Sequence, residues 1–183
     1  MTVGGFAICA AGLVALLTIN GATGVPSMAV ALTSALIILG LLLPALGMLQ
    51  MARAGSSPHP GARRGLEMLA AGLVVLLVGV VPIVVISSFS GYVAGASLIA
   101  VSGALALTGV VYFRKYAKSV VILLLGTMMI FSGVELIASS NVMAIEYWVS
   151  QVENTIYVDV GATVSACGCV LSAYSFFVLH GRS

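Results

Sequence analysis

The sequence predicts an all-α polytopic membrane bundle: six transmembrane helices arranged as three hairpins, with both termini on the cytoplasmic side. Three observations predict it, namely an apolar composition, six long apolar runs and basic residues confined to alternate connections. Of the 183 residues, 61% are hydrophobic and 7% charged, with a mean hydropathy of +1.23, against roughly 45–50% and about 25% in globular domains. A water-soluble surface needs far more polar side chains than this, so the outward-facing groups are expected to meet lipid. A net charge of +2 spread over scattered basic residues leaves no nucleic-acid footprint. The three cysteines, Cys9, Cys167 and Cys169, fall in apolar runs that suit neither a disulfide framework nor a zinc knuckle.

A helix needs roughly 17–25 residues to cross a hydrocarbon core about 30 Å thick. Runs of that length lie at 3 to 20, 28 to 51, 66 to 88, 92 to 113, 119 to 139 and 158 to 179. Helix is the expected form because backbone in lipid must satisfy its own hydrogen bonds, and no run alternates as a barrel strand would. The first run has no basic stretch before it, which points to a retained helix rather than a secretory signal. The second and third contain Pro44 and Pro82, each expected to kink its helix. Only Ser87, Ser88, Phe89, Ser90 and Gly91 separate the third from the fourth. Without a turn there, the chain reads as four helices with re-entrant segments.

Orientation follows from lysine and arginine, which stay on the cytoplasmic side of helix ends. Arg53, Arg63 and Arg64 lie between helices two and three, Arg114, Lys115 and Lys118 between four and five, and Arg182 after six. Six crossings put all of them on one side. Glu146, Glu153 and Asp159 then fall in the last outer connection, and only Glu67 lies beside the inner arginines.

The hairpins read as copies of one unit. Ala10-Ala11-Gly12-Leu13-Val14-Ala15-Leu16-Leu17 returns sixty residues later as Ala70-Ala71-Gly72-Leu73-Val74-Val75-Leu76-Leu77, although an Ala-, Gly-, Leu- and Val-rich composition also produces such matches. Three tandem hairpins, basic cytoplasmic connections and Gly-punctuated helices such as Leu125-Gly126-Thr127-Met128-Met129-Ile130-Phe131-Ser132-Gly133 make the chain resemble the HdeD-like family of acid-stress membrane proteins. The resemblance covers the whole chain in layout and implies a prokaryotic inner-membrane protein. The long connection before helix six departs from that family's short turns.

Three features are candidates for function. Glu135 is the only acid inside an apolar run, and Ser132, Glu135 and Ser139 share a helical face expected to look inward toward Asn20 or the Ser87, Ser88, Ser90 turn, a candidate proton or cation site near the outer interface. In the segment 141 to 157, Ile145, Trp148, Val149, Val152 and Ile156 alternate at helical spacing with Glu146, Ser150, Gln151, Glu153 and Asn154. That pattern predicts an amphipathic helix lying on the outer surface or docking a partner. Small residues recur every fourth position at Ala7, Ala11, Ala15, at Ala96, Ala100, Ala104, Thr108, and at Gly161, Ser165, Cys169, Ala173, a spacing that lets helices approach, within this bundle or against another subunit. The alanines of helix one also resemble those by which the six-helix substrate-binding subunits of vitamin transporters dock their partner. Finally, Cys167 and Cys169 stand about 200° apart on a helix and cannot readily share a metal.

His59 and His180 lie in a loop and at the tail, so no histidine pair is placed to hold haem, and neither a phosphate loop, a nucleophile elbow nor a zinc-protease helix is present. The expectation is therefore a non-catalytic, multi-pass integral protein of a cell (inner) membrane. It is expected to carry no metal or cofactor, to contact membrane lipid and other membrane subunits or itself, and to serve a structural, accessory or stress-related role. The alternative is a small-solute or ion transporter, or its binding subunit, which requires a polar cavity near midplane. Ser34, Ser102, Thr108 and Thr127 are the hydroxyls at that depth, and such groups bond back to their own helix.

Overall fold

Six α-helices follow one another: α1 (Thr2–Ile19), α2 (Ser27–Arg53), α3 (Pro60–Ile86), α4 (Phe89–Val111), α5 (Ala117–Glu146) and α6 (Gln151–His180). The computed structural model describes residues 1–20, 22, 26–54, 60–86, 89–112, 117–146 and 151–180. Five helical stretches, Thr2–Ile19, Ser27–Arg53, Val93–Val111, Val120–Ser140 and Thr155–Val178, are long and apolar enough to cross a membrane. This is consistent with a multi-pass membrane protein. The charges of α3, Arg63, Arg64 and Glu67, all lie in its first turns.

Where the helices differ from expectation, the causes are local. α3 starts six residues early, at Pro60, because proline is pre-set for a first helical position. Arg63 Nε also donates to Glu67 Oε1 at 3.0 Å one turn on. α3 and α4 are separate helices that break between Ile86 and Phe89 and run back along one another, Gly79 lying against Gly95. The amphipathic segment at 141 to 157 is not a separate element. No glycine or proline occurs between Gly133 and Gly161, so α5 runs on to Glu146 and α6 begins at Gln151. Each has 30 residues, about 45 Å at 1.5 Å per residue, longer than a hydrocarbon core of about 30 Å. The side chains of Ile145, Glu146, Trp148, Val149, Val152 and Glu153, the candidate partner surface, lie outside the described residues.

The helices form a ring in chain order. Each packs on its sequence neighbours, and α6 closes on α1. Thr2, Gly47 and Phe177 meet at one end, where α1 begins and α6 ends. Arg53, Arg63 and Arg64 are exposed on helix turns at this end. Large apolar side chains face outward as well as in: Val14, Leu32, Leu39, Val101, Val121 and Val170 are all about half exposed or more, as expected where the surroundings are lipid.

What lets the helices pair is a seven-residue repeat of small residues. The positions are 5 and 12 in α1, 33, 40 and 47 in α2, 65, 72 and 79 in α3, 95, 102 and 109 in α4, 126, 133 and 140 in α5, and 161, 168 and 175 in α6. Every one is Gly, Ser or Thr, and every one is buried. In the first hairpin Gly5 takes the ring of Pro44, and Gly40 lies on the backbone of Cys9. In the second, a β-carbon on Gly109 would stand 2.8 Å from the Gly65 carbonyl oxygen. The third is reciprocal: a β-carbon on Gly161 would lie 2.6 Å from the Gly133 oxygen, and one on Gly168 would lie 2.6 Å from the Gly126 oxygen. The α-hydrogens that stand there instead point at those carbonyls, the arrangement of Cα–H···O contacts between helices. A seven-residue period keeps the seam on one side of each helix over its whole length.

The seam also revises the internal repeat. The eight-residue match sets Gly12 against Gly72, yet Gly12 faces Leu36 and Ile37 as Gly79 faces Leu98 and Ile99, while Gly72 shares its setting with Gly5 and Gly126. The two octapeptides lie on equivalent faces, one heptad out of register. Gly168→Ala is expected to destabilise the protein by about 1–3 kcal/mol, as overpacking does. Gly4→Ala, which meets nothing within 4 Å, is expected to be neutral or slightly stabilising through helix propensity, by up to about 1 kcal/mol. Thermal unfolding in detergent, with both variants side by side, checks the contrast.

Candidate functional site

The seam between α1 and α6 brings together the chemistry-bearing side chains of the first and last helices. Nearest the termini, the rings of Phe6 and Phe176 stack, centroids 6.1 Å apart and planes 21° from parallel. Further in, the thiols of Cys9 and Cys169 lie close enough to interact, both residues being almost fully buried. At the far end Asn20 Nδ2 donates to Asp159 Oδ1 at 2.9 Å and to the Thr155 carbonyl oxygen at 3.1 Å. These three contacts run in antiparallel order.

The residues singled out from sequence are placed differently. Asn20 is committed to α6. Ser132 is exposed and Glu135 half-buried. Ser139 Oγ donates to its own helix at the Leu136 carbonyl, 3.0 Å away. Among the described residues no hydrogen bond or ion pair joins Glu135 to Ser132, Ser139 or Asn20. The face these α5 residues share is turned away from the α6 seam, since Ser132, Glu135 and Ser139 lie about 100–160° around the helix from Gly133.

The four-residue stripes part company in the same way. Ala7 and Ala11 are exposed with Ala15 half-buried, and Ala100 and Ala104 are exposed with Ala96 half-buried. In α6, Gly161 and Ser165 face α5, where Ser165 Oγ donates to the Ile130 carbonyl at 3.2 Å, whereas Cys169 has turned to α1 and Ala173 is half-buried. A step of four residues advances 400°, so such a stripe drifts about 40° per step and winds from one neighbour to the next.

The centre of the ring is tight. A cavity of about 10 Å³ lies among Phe6, Met48, Leu73, Ala106, Thr127 and Ser172, at the lower limit for one water. Ser172 Oγ is fully buried there without a hydrogen-bond partner, against Gly126. Other hydroxyls are satisfied within their helices: Ser102 by the Ile99 carbonyl, Thr108 by Ala104 and Thr127 by Leu123. A larger groove, of about 410 Å³, opens at the terminal end and is lined by Thr2, Gly47, Gln50 and Phe177 among others. Among the described residues no group of three or more His, Cys, Asp or Glu is gathered as for a metal ion.

Sequence reasoning missed both polar pairs of the α1–α6 seam. Their signal was depth: in a six-helix chain with alternating direction, Asn20 and Asp159 sit at the same end of the first and last helices. Asn20→Ala is expected to lower stability by about 1.5–3 kcal/mol, the range for a hydrogen bond to a charged group. Thermal unfolding, compared with Asn20→Asp as a like-charge variant expected to be at least as damaging, checks it.

The chain matches no family model, and no curated protein or solved structure is significantly similar to it.

Proposed function

We propose that this chain is a non-catalytic integral membrane protein, crossing the bilayer six times with both termini in the cytoplasm, that packs through its outer faces against a second copy or another membrane subunit. One observation supports the association most directly. The alanine stripes of α1 and α4 expose Ala7, Ala11, Ala100 and Ala104, while contacts within the ring run along the glycine heptads. In lipid, where apolar burial does not drive association, a smooth small-residue face is what allows another helix to come close. The orientation rests on Arg53, Arg63 and Arg64 at the end where α1 begins and α6 ends. A role in acid stress at a prokaryotic inner membrane rests on the HdeD-like layout.

A transporter, or its substrate-binding subunit, is the second reading, and Glu135 favours it as a half-buried carboxylate within a membrane-spanning stretch. Against it stands the narrow interior, since a transport site lies in a polar cavity near midplane.

Light scattering on protein purified from its native membrane in mild detergent tests the first reading. The protein mass per particle is expected to exceed the 18.6 kDa of one chain, and Ala7→Trp with Ala11→Trp is expected to reduce it. A monodisperse single chain ends the accessory-subunit reading. Glu135→Gln is expected to leave solute uptake and growth at low pH unchanged; loss of either would favour the transporter.

A further inference from the structure

The groove of about 410 Å³ at the start of α1 lies between three helices, with Thr2 and Val3 on α1, Gln50 and Met51 on α2 and Phe177 on α6. Its polar groups lack an acceptor. The α1 ladder opens with the Gly5 N–H on the Met1 carbonyl, so the N–H groups of Thr2, Val3 and Gly4 have no acceptor within the helix. Met1 supplies no side-chain cap, and the first turn holds no acid. A second observation is independent of the helix end. Thr2 is only 6% exposed, and its Oγ1 lies against bare Gly47 in the groove wall, 2.6 Å from where a β-carbon there would stand. Among the described residues this hydroxyl has no hydrogen-bond partner, whereas Ser102, Thr127, Ser140 and Ser165 donate theirs to carbonyls. Arg53 ends α2 three residues beyond Gln50, on the same helical side. No acid lines the groove among the described residues.

We propose that this groove binds an anionic phospholipid. The phosphate accepts from the first-turn N–H groups of α1, the Thr2 hydroxyl and the Gln50 amide, Arg53 balances the charge, and the glycerol and acyl carbons lie along Val3, Met51 and Phe177. A helix N-terminus and an arginine select a negative charge. The apolar walls select a lipid over a soluble anion, and depth agrees with them. The 18 residues of α1 span about 27 Å at 1.5 Å each, close to the hydrocarbon core of about 30 Å, so its first turn stands at headgroup level. Touching both α1 and α6, the lipid stabilises a ring closure that no turn makes. The proposal rests on the membrane-spanning reading above, not on assembly with a partner.

Native mass spectrometry of the full chain released from detergent micelles counts bound lipid per chain. One preferred adduct is expected with dioleoylphosphatidylglycerol, and at least tenfold weaker binding of dioleoylphosphatidylcholine, whose choline cancels the phosphate charge. Thr2→Val keeps the side-chain shape and is expected to weaken the adduct about tenfold, as loss of a hydrogen bond to a charged group does. Gln50→Leu and Arg53→Gln, at exposed positions, are expected to weaken it severalfold, and Arg64→Gln, outside the groove, to leave it unchanged. Equal binding of the two lipids overturns the proposal, as does an Arg64→Gln loss matching that of Thr2→Val, which marks unspecific attraction to a basic end. Equal occupancy by sn-glycerol 3-phosphate also overturns it, in favour of a soluble anion. Should Thr2→Val not fold, native-like binding by both Gln50→Leu and Arg53→Gln is decisive against it. A chain that leaves the membrane without detergent ends the membrane reading as well, whereas a detergent-extracted chain with no preferred adduct ends this proposal alone.

Discussion

Close approach of backbones along the three hairpin seams is the constraint on which the rest of this structure depends. Helices in lipid gain little from hiding apolar surface, so dispersion and weak polar contacts between closely packed backbones must hold them. The reciprocal glycine pairs of α5 and α6, Gly133 with Gly161 and Gly126 with Gly168, show how this is met. With no β-carbon between them, each backbone reaches the other's carbonyl. In the first hairpin the same space admits Pro44, whose ring lies on Gly5 and fills the gap that glycine opens. The seams leave the outer faces free to be apolar and featureless.

Closure of the ring is a different problem. α1 and α6 are not joined by a turn, and α1 meets α6 with its Phe6, Cys9 and Asn20 rather than with its glycines. Aromatic, thiol and amide groups each accept a distinct partner, so together they set the register of two helices that no connection constrains. The tight interior follows from this closure. Phe6, Phe176 and Met48 fill the axis near the terminal end, and most hydroxyls around it are spent on their own helices.

The hairpins' existence was legible because apolar length, turn residues and charge placement are local quantities. Helix ends were less so where no breaker stood. The stretch from Val134 to Val160, free of glycine and proline, let α5 and α6 lengthen into what had the periodicity of a separate amphipathic helix. The packing stripes show a sharper limit. Alanines every fourth residue are conspicuous in sequence, but the buried seams follow the seventh, because only that period stays aligned with a neighbouring helix over five turns. Ser132, Glu135 and Ser139 share a face as expected, yet a helical face carries no label saying whether it looks in or out.

By itself the sequence determined the helical, membrane-adapted class, the helix count and the common end at which α1 begins and α6 ends, since each depends on composition and order along the chain. The tertiary structure alone decided which faces are buried, that Asn20 answers to Asp159 rather than Glu135, and that Cys9 lies against Cys169. The physical reason is that ring closure joins residues from opposite ends of the chain. Their pairing is set by how the four intervening helices pack, and no local pattern encodes that.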